Sequence, residues 1–493
     1  MPRTSMALPP LSDMSVVTRL SLSRLASGMS LLVFLSGCAT FSPDGGMMPV
    51  ALFAEDALQK EVAVIKTPED AERLREAVQR LRRRVLTAEN AVQIALLNNR
   101  GLQAAFNELA VAEAQMVGDS LPPNPTFSIS RIAGSGGSSE IERQVAMDIL
   151  ALATLPIRSE IAAKRFRQAQ LRAMEETLRT AAETRRAYYR AVAARELSTL
   201  LSQAESTAKT TAELAMKLGE TGSLNKLDQA REQAFYAETT AELATIRQEA
   251  ASARERLTRL LGFWGTDVDF RLPDTLPAMP ARPSSLPAIE MDAVSRRIDL
   301  QVARIELAAL ARSYGLTQAT RFINLLEVAG ISRTTKDPES PAFRERGIDV
   351  QLQIPIFDFG EVRVRQAEST YLQAVNRLTE KAVNVRSEAR DAYRIYRTTY
   401  DIASHYQREI VPLRKIITEE SQLRFSAMQI DVFALLQEAR QRIAVLRAAI
   451  EAKRAFWLAK ANLTVAVTGG GSGAETPTTE TIAAAGAPAA AAH

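Results

Sequence analysis

The stretch GIDVQLQIPIFDFG, residues 347–360, decides the architecture. Ile348, Val350, Leu352, Ile354 and Ile356 alternate with Asp349, Gln351, Gln353 and Pro355. That is the period-two pattern of a strand with one oily and one wet face. Phe357, Asp358, Phe359 and Gly360 then lead into a long tract whose residues suit only a helix. Such a junction poses the question of what lies on each side of the strand.

The plan occurs twice. From Thr87 the chain reads as a leading helix, a polar break and a short strand in which Phe127 and Ile129 alternate with serines. Near Leu286 it restarts, with Phe322 to Ile331 as the noisier counterpart strand. Polar loops follow, GSGGSSE (134–140) and SRTTKDPESPAFRERG (332–347), and then second strands, QVAMDILAL (144–152) and IDVQLQIPI (348–356). Pro156 and Pro355 are expected to close those strands.

Beyond the prolines lie the longest helical tracts. Residues 157–218 contain neither proline nor glycine, and 361–427 contain a single proline, Pro412. At 1.5 Å per residue each tract is on the order of 90–100 Å, more than any globular core requires. Each breaks and returns as a shorter helix, 225–261 and 431–467. A leading and a returning helix laid end to end therefore match one long helix. In the second long helix Ala367, Tyr371, Ala374, Leu378, Ala382, Val385, Ala389, Ala392, Tyr396 and Tyr400 form one stripe. Nine steps over 33 residues give about 3.67 per turn, a period that favours straight packing over a left-handed coiled coil. A plain coiled-coil rod is the alternative.

The expected organisation is a signal segment over 1–37, an N-terminal anchored segment over 38–86 and a first repeat over 87–265. A proline-rich linker over 266–287, a second repeat over 288–468 and a low-complexity tail over 469–493 complete it. The fold class is mainly α with a small β part. Four strands with an oily face cannot close a membrane barrel alone, because single-chain bacterial barrels start at eight. If the strands lie in a bilayer, several chains must pool them, since open edges in lipid are prohibitive.

Composition narrows the function. The chain is 46% hydrophobic but only 5% aromatic, which suits close helix packing over long seams. Basic and acidic residues, 61 against 57, are interspersed, so nucleic acid is not an expected partner. Two histidines and one cysteine exclude a histidine-based triad, a zinc site built on paired cysteines and a disulfide framework. No phosphate loop, HExxH or GxSxG signature is present, so neither a cofactor nor an enzymatic reaction is expected.

At the front, Arg19 and Arg24 precede the short apolar run Leu31–Leu35, as in a secretory signal. Leu35-Ser36-Gly37-Cys38 resembles the bacterial lipobox, in which the cysteine thiol receives a diacylglycerol and becomes the mature N-terminus. Ala39, rather than an aspartate, implies outer-membrane sorting.

With these features in place, residues 87–468 resemble the TolC family of outer-membrane efflux and secretion channels, in its lipid-anchored branch. The resemblance rests on the duplication, on NNRGLQAAFNELAVAEAQ with LPPNPTFS, on LTRLLGFWG (257–265), on LQIPIFDFGEVRVRQAE (352–368) and on two turn regions. It implies a homotrimer whose chains each give four strands to a twelve-stranded outer-membrane barrel, continued by a hollow periplasmic helical cylinder. It implies a periplasmic adaptor and an inner-membrane transporter as partners, for efflux or type I secretion. Asp148, Asp349, Gln351 and Gln353 would then face the pore, and Ile348, Val350, Leu352 and Ile354 the lipid.

The turn regions resemble the family's periplasmic tips. In LGETGSLNKLDQAREQ (218–233), Gly219 and Gly222 end one helix, Asn225 caps the next and Asp228 sits in its first turn. In RFSAMQIDVFALLQEA (424–439), Asp431 takes the capping position, while Met428 replaces the usual glycine and Ala434 the usual acid. These are candidate adaptor-contact or gate residues, as well as ordinary helix-start residues. Pro412 removes a helical hydrogen bond and is expected to kink the second long helix alone, so the second hairpin is the candidate moving part. The competing functional reading is a structural or adaptor-like periplasmic lipoprotein without channel activity.

Overall fold

The computed structural model describes residues 40–134, 137–338 and 340–469. The signal segment, Cys38 and the tail from 470 onward lie outside the described residues. The chain divides into two compact units that each draw on both repeats.

Among the described residues the first unit draws on 40–45, Val111–Phe166 and Ala309–Glu368. It holds strands β1 (Thr126–Ala133), β2 (Ser139–Asp148), β3 (Leu325–Asp337) and β4 (Ser340–Gln353) in one antiparallel sheet of order β1-β2-β3-β4. The two repeats meet at the central β2–β3 pair, and β1 and β4 are left as the edges.

The strands differ from the sequence reading at both ends. Most of the expected loop 332–347 is strand, because its Thr, Arg and Phe residues pair with β2 and with each other rather than turning. At the other end β4 stops at Gln353, so Ile354 and Ile356 lie beyond it. Pro355 has no N–H for a ladder, and the Ile356 N–H donates back to Ile354 O at 2.9 Å, closing a tight turn. In the first repeat β2 ends at Asp148, and Ile149–Leu152 are helical rather than extended. The Asp148 carboxylate accepts from the Ala151 N–H at 2.8 Å, starting a helix that runs through Pro156 instead of after it.

Among the described residues the second unit draws on Gly46–Ala110, Arg167–Ala308 and 369–469. Its helices, in chain order, begin with α1 (Met48–Leu58), α2 (Pro68–Arg82), α3 (Ala88–Asn98) and α4 (Arg100–Ser120), the last passing into the first unit. Next come α5 (Ile149–Glu220) and α6 (Lys226–Leu261), then α7 (Ile289–Arg296) and α8 (Ile298–Ala319). The set ends with α9 (Glu361–His405), α10 (Val411–Ser426) and α11 (Val432–Thr468). No helix among the described residues is long and apolar enough to cross a membrane.

The leading helices, expected to be continuous, are each broken once and at matching places. Asn99 (ψ 120) separates α3 from α4, and Arg297 (ψ 122) separates α7 from α8. At the first break Asn98 Nδ2 donates to Leu261 O and Gly262 O, and Asn99 Nδ2 to Leu260 O, so the end of α6 is tied into the gap. Gly262 (φ 69) lies so close that a Cβ would stand 2.5 Å from Asn98 O. At the second break Gly469, after α11, lies against Ile298 in the same way.

All ten residues of the alanine–tyrosine stripe are buried or half-buried, with Val385, Ala389, Tyr396 and Tyr400 fully so. The scarce aromatics nevertheless gather: Tyr189 stacks on Trp457 at 5.1 Å, and Phe456 touches Tyr396, Tyr400 and Trp457. The proline-rich segment 266–287 is laid onto this cluster. Phe270, Leu272 and Leu276 are buried in it, Trp457 Nε1 donates to Pro277 O, and the Tyr400 hydroxyl donates to Ala281 O at 2.8 Å.

Candidate functional site: a two-faced sheet and two hairpin tips

Residues directly opposed across an antiparallel ladder share a face, so the register sorts every strand residue. Leu352 lies opposite Leu326. Val350, Val328 and Met147 form the next row, and Ile348, Gly330, Val145 and Phe127 the one after. Phe127, Val145, Ile348, Val350 and Leu352 are all exposed within the chain. The oily face read from 348–352 therefore extends over all four strands; Ile354 lies past the strand and does not belong to it.

The opposite face carries Asp148, Glu327 and Gln351 in one row, with Ala146, Ala329 and Asp349 in the next. Gln353 opposes Leu325 on this face. Toward the loops it continues with Glu142, Arg333 and Glu345, and Arg333 binds both Glu142 and Glu140 at 2.7 Å. Sequence reading placed Asp148, Asp349, Gln351 and Gln353 on this face but missed Glu327, Glu140, Glu142 and Glu345. Extending the strand parity through 332–347 would have found Glu345.

At the helical end of β4, Phe357 is 98% exposed and the chain turns through Phe359 (φ 47) and Gly360 (φ 73). A Cβ on Gly360 would collide with Arg321 O. Arg321 Nε donates to Phe359 O at 2.8 Å and Arg363 Nη2 to Thr320 O at 2.9 Å, fixing the strand-to-helix corner.

The two hairpin turns are built alike. In the first, Ser223 N–H reaches back to Leu218 O at 2.9 Å across Gly222 (φ 74). In the second, Gln429 N–H reaches Arg424 O at 2.8 Å across Met428 (φ 56). Both are six-to-one closures with a left-handed residue in the same place, so Met428 occupies a glycine's backbone conformation. Asn225 Oδ1 accepts from the Asp228 N–H, and Asp431 Oδ1 from the Ala434 N–H, both at 2.8 Å. Asp228 is held between Asn225 Nδ2 and Arg231, and Gly219 packs beside Gln229. Ala434, in the matching place, offers no carboxylate. The two returning helices are joined by Glu232–Arg440 at 2.7 Å and by Glu242–Arg447.

Pro412 does not end its helix. Residues Tyr406–Ile410 immediately before it form a π turn, and α10 continues from Val411. The wider turn is a known adjustment where proline removes a helical bond. α5 carries its own proline, Pro156, near its start rather than near the tip.

Away from the sheet, the second helix break holds a buried charge network. Arg297 grips Asp299 with two bonds, 3.0 and 2.9 Å, and also reaches Glu388. Burial pushes the Asp299 carboxyl up, but the Arg297 guanidinium, with Lys381, outweighs it and holds the group below its usual value. Glu175 is raised instead, by burial and then by the nearby Asp299 charge.

Residues 291–419 fit the sequence profile of the family described as outer membrane efflux protein. Those matched residues lie within the second repeat. Among solved structures, the CmeC outer membrane channel of Campylobacter jejuni superposes with a TM-score of 0.65 at 16% identity, over 81% of this chain and 89% of that one. The open-state MtrE outer membrane channel of Neisseria gonorrhoeae gives 0.63 at 16%, over 78% and 89%. The outer membrane protein VceC of Vibrio cholerae gives 0.64 at 15%, over 78% and 96%. None of the curated proteins matches the chain in sequence. Over most of its length, then, the chain has the fold of these outer-membrane channels.

Proposed function

We propose that this protein is the outer-membrane channel of a tripartite export system: a passive trimeric conduit from periplasm to exterior, not an enzyme. The observation that carries the reading is the four-stranded sheet, oily on one face and acidic on the other, with β1 and β4 both unpaired at their outer edges. In lipid those edges demand partners, and three copies joined β1 to β4 give a closed twelve-stranded barrel. The strand-to-helix corner at Phe357–Gly360 then marks the periplasmic boundary of the membrane, and the hairpins extend the conduit into the periplasm.

In this reading the energy comes from an inner-membrane transporter, coupled through a periplasmic adaptor, for efflux or type I secretion. The tips around Gly219, Gly222, Asn225 and Asp228, and around Met428 and Asp431, are the candidate contacts for the adaptor or the gate. Pro412 and its π turn make the second hairpin the candidate moving element. Cys38 anchors the chain by lipid. Selectivity follows from pore width and from carboxylates such as Asp148, Glu327 and Asp349 along the wall. A bracing lipoprotein without channel activity would leave the exposed apolar face of the sheet unused. The mass of the detergent-purified full chain tests the assembly: a trimer is expected, and a stable monomer contradicts the reading.

A further inference from the structure

The outward face of the sheet changes character along its length. Above the apolar rows come Ile129, Arg143, Ser332 and Arg346, and then Arg131, Ile141, Thr334 and Arg344. All four arginines are exposed, and none makes a hydrogen bond or ion pair among the described residues. Short of the register shift at Thr335–Asp337, no acidic residue of the described strands shares their face. Glu140, Glu142, Asp148, Glu327, Glu345 and Asp349, by contrast, lie on the opposite face, where Arg333 is paired twice. Charge is thus partitioned across the thickness of one sheet: bare cations on the oily side, acids on the other.

Position reinforces composition. From Leu352 to Arg346 is six residues, about 20 Å along the strand, and the apolar rows fill the helix-proximal part of that length. The arginines therefore stand at the end of the apolar band remote from the helices. Exposed guanidiniums without partners, bordering a surface matched to lipid tails, are suited to bidentate binding of phosphate.

We propose that Arg131, Arg143, Arg344 and Arg346 form a phosphate-binding belt for the headgroups of a phosphorylated lipid in the outer leaflet. The proposal rests on the channel reading, which assigns this face to lipid. The belt adds a fixed depth and a lipid preference to the barrel; it takes no part in the conduit itself.

The test uses detergent-purified full-length protein and native mass spectrometry, with bisphosphorylated lipid A, its dephosphorylated form and phosphatidylethanolamine as probes. The wild-type trimer should retain the bisphosphorylated lipid at least about tenfold better than the dephosphorylated one. The quadruple variant R131Q/R143Q/R344Q/R346Q should lose that discrimination, and the Arg→Lys quadruple should keep most of it. Neutralising Arg377 and Arg386, exposed on α9, should change nothing. Equal retention of the two lipid A forms by wild type overturns the proposal, as does undiminished discrimination in the glutamine variant. If that variant fails to assemble, the lysine variant and wild-type salt titration decide: discrimination insensitive to salt overturns the belt. A conducting trimer without phosphate discrimination removes the belt alone, whereas absence of a trimer removes the channel reading and the belt with it.

Discussion

Placing arginine at Val350 separates a membrane sheet from a merely exposed one. Val350 is 58% exposed in the chain and is flanked in its row by Val328. In water its replacement would cost almost nothing, since little packing is lost. In a bilayer the new charge lies near the middle of the apolar rows, where arginine costs about 2–4 kcal/mol per chain. That is a roughly 30- to 900-fold loss per chain, compounded over three chains in a trimer. Arginine at the next residue, Gln351, enters the opposite face beside Glu327 and can pair with it. The assay is the fraction of trimer surviving a urea titration in lipid vesicles. Val350→Arg should collapse that fraction, while Gln351→Arg should leave it near wild type. Equal damage from the two, or none from Val350→Arg, would refute the assigned faces.

Other outcomes follow from local geometry. Met428→Gly should stabilise the chain by up to about 1 kcal/mol in thermal melting, because the left-handed conformation strains methionine and its side chain is 94% exposed. Gly262→Ala should destabilise by roughly 1–3 kcal/mol, since φ 69 and the close Asn98 carbonyl leave no place for Cβ. Gly222→Ala, with open space around it, should cost less. Glu175 binds its proton more tightly when folded, so its ionised form weakens the fold at neutral pH. Glu175→Gln should therefore raise the melting temperature at pH 7, with the gain fading as pH falls toward 4.5. Asp299 has the opposite sign: its stabilisation is full above its ordinary value of 3.8 and is lost as pH falls through the lower folded one. Asp299→Asn should thus cost on the order of 3–5 kcal/mol at pH 7 and progressively less in acid.

Much of this was legible because period and punctuation carried it. The oily alternation at 348–352, the uninterrupted tract after Pro156 and the cap at Asn225 are local signals, and local physics decides them. The helix breaks at Asn99 and Arg297 were not legible. Neither residue is a helix breaker; the break is imposed by side-chain and backbone contacts with the distant ends of α6 and α11. The upper halves of β3 and β4 were hidden for another reason. Their residues are exposed and charged, so they lack an oily alternation and are recognisable as strands only through partners in β2. The same concealment covered Glu345, Arg344 and Arg346, whereas Glu327 lies in the stretch 322–331 already read as a strand, whose noisy alternation did not assign its faces. The burial of 270–276 is likewise a tertiary fact, since proline-rich composition looks like a linker wherever it packs.

The most direct test of the central claim is single-channel recording of the purified full-length protein in planar bilayers. The account predicts discrete, ohmic conductance steps from a trimeric preparation, larger or more frequent when the second hairpin is loosened at Arg440→Ala or Arg447→Ala. Persistent absence of conductance from a folded, membrane-inserted protein, in wild type and in both variants, would contradict it.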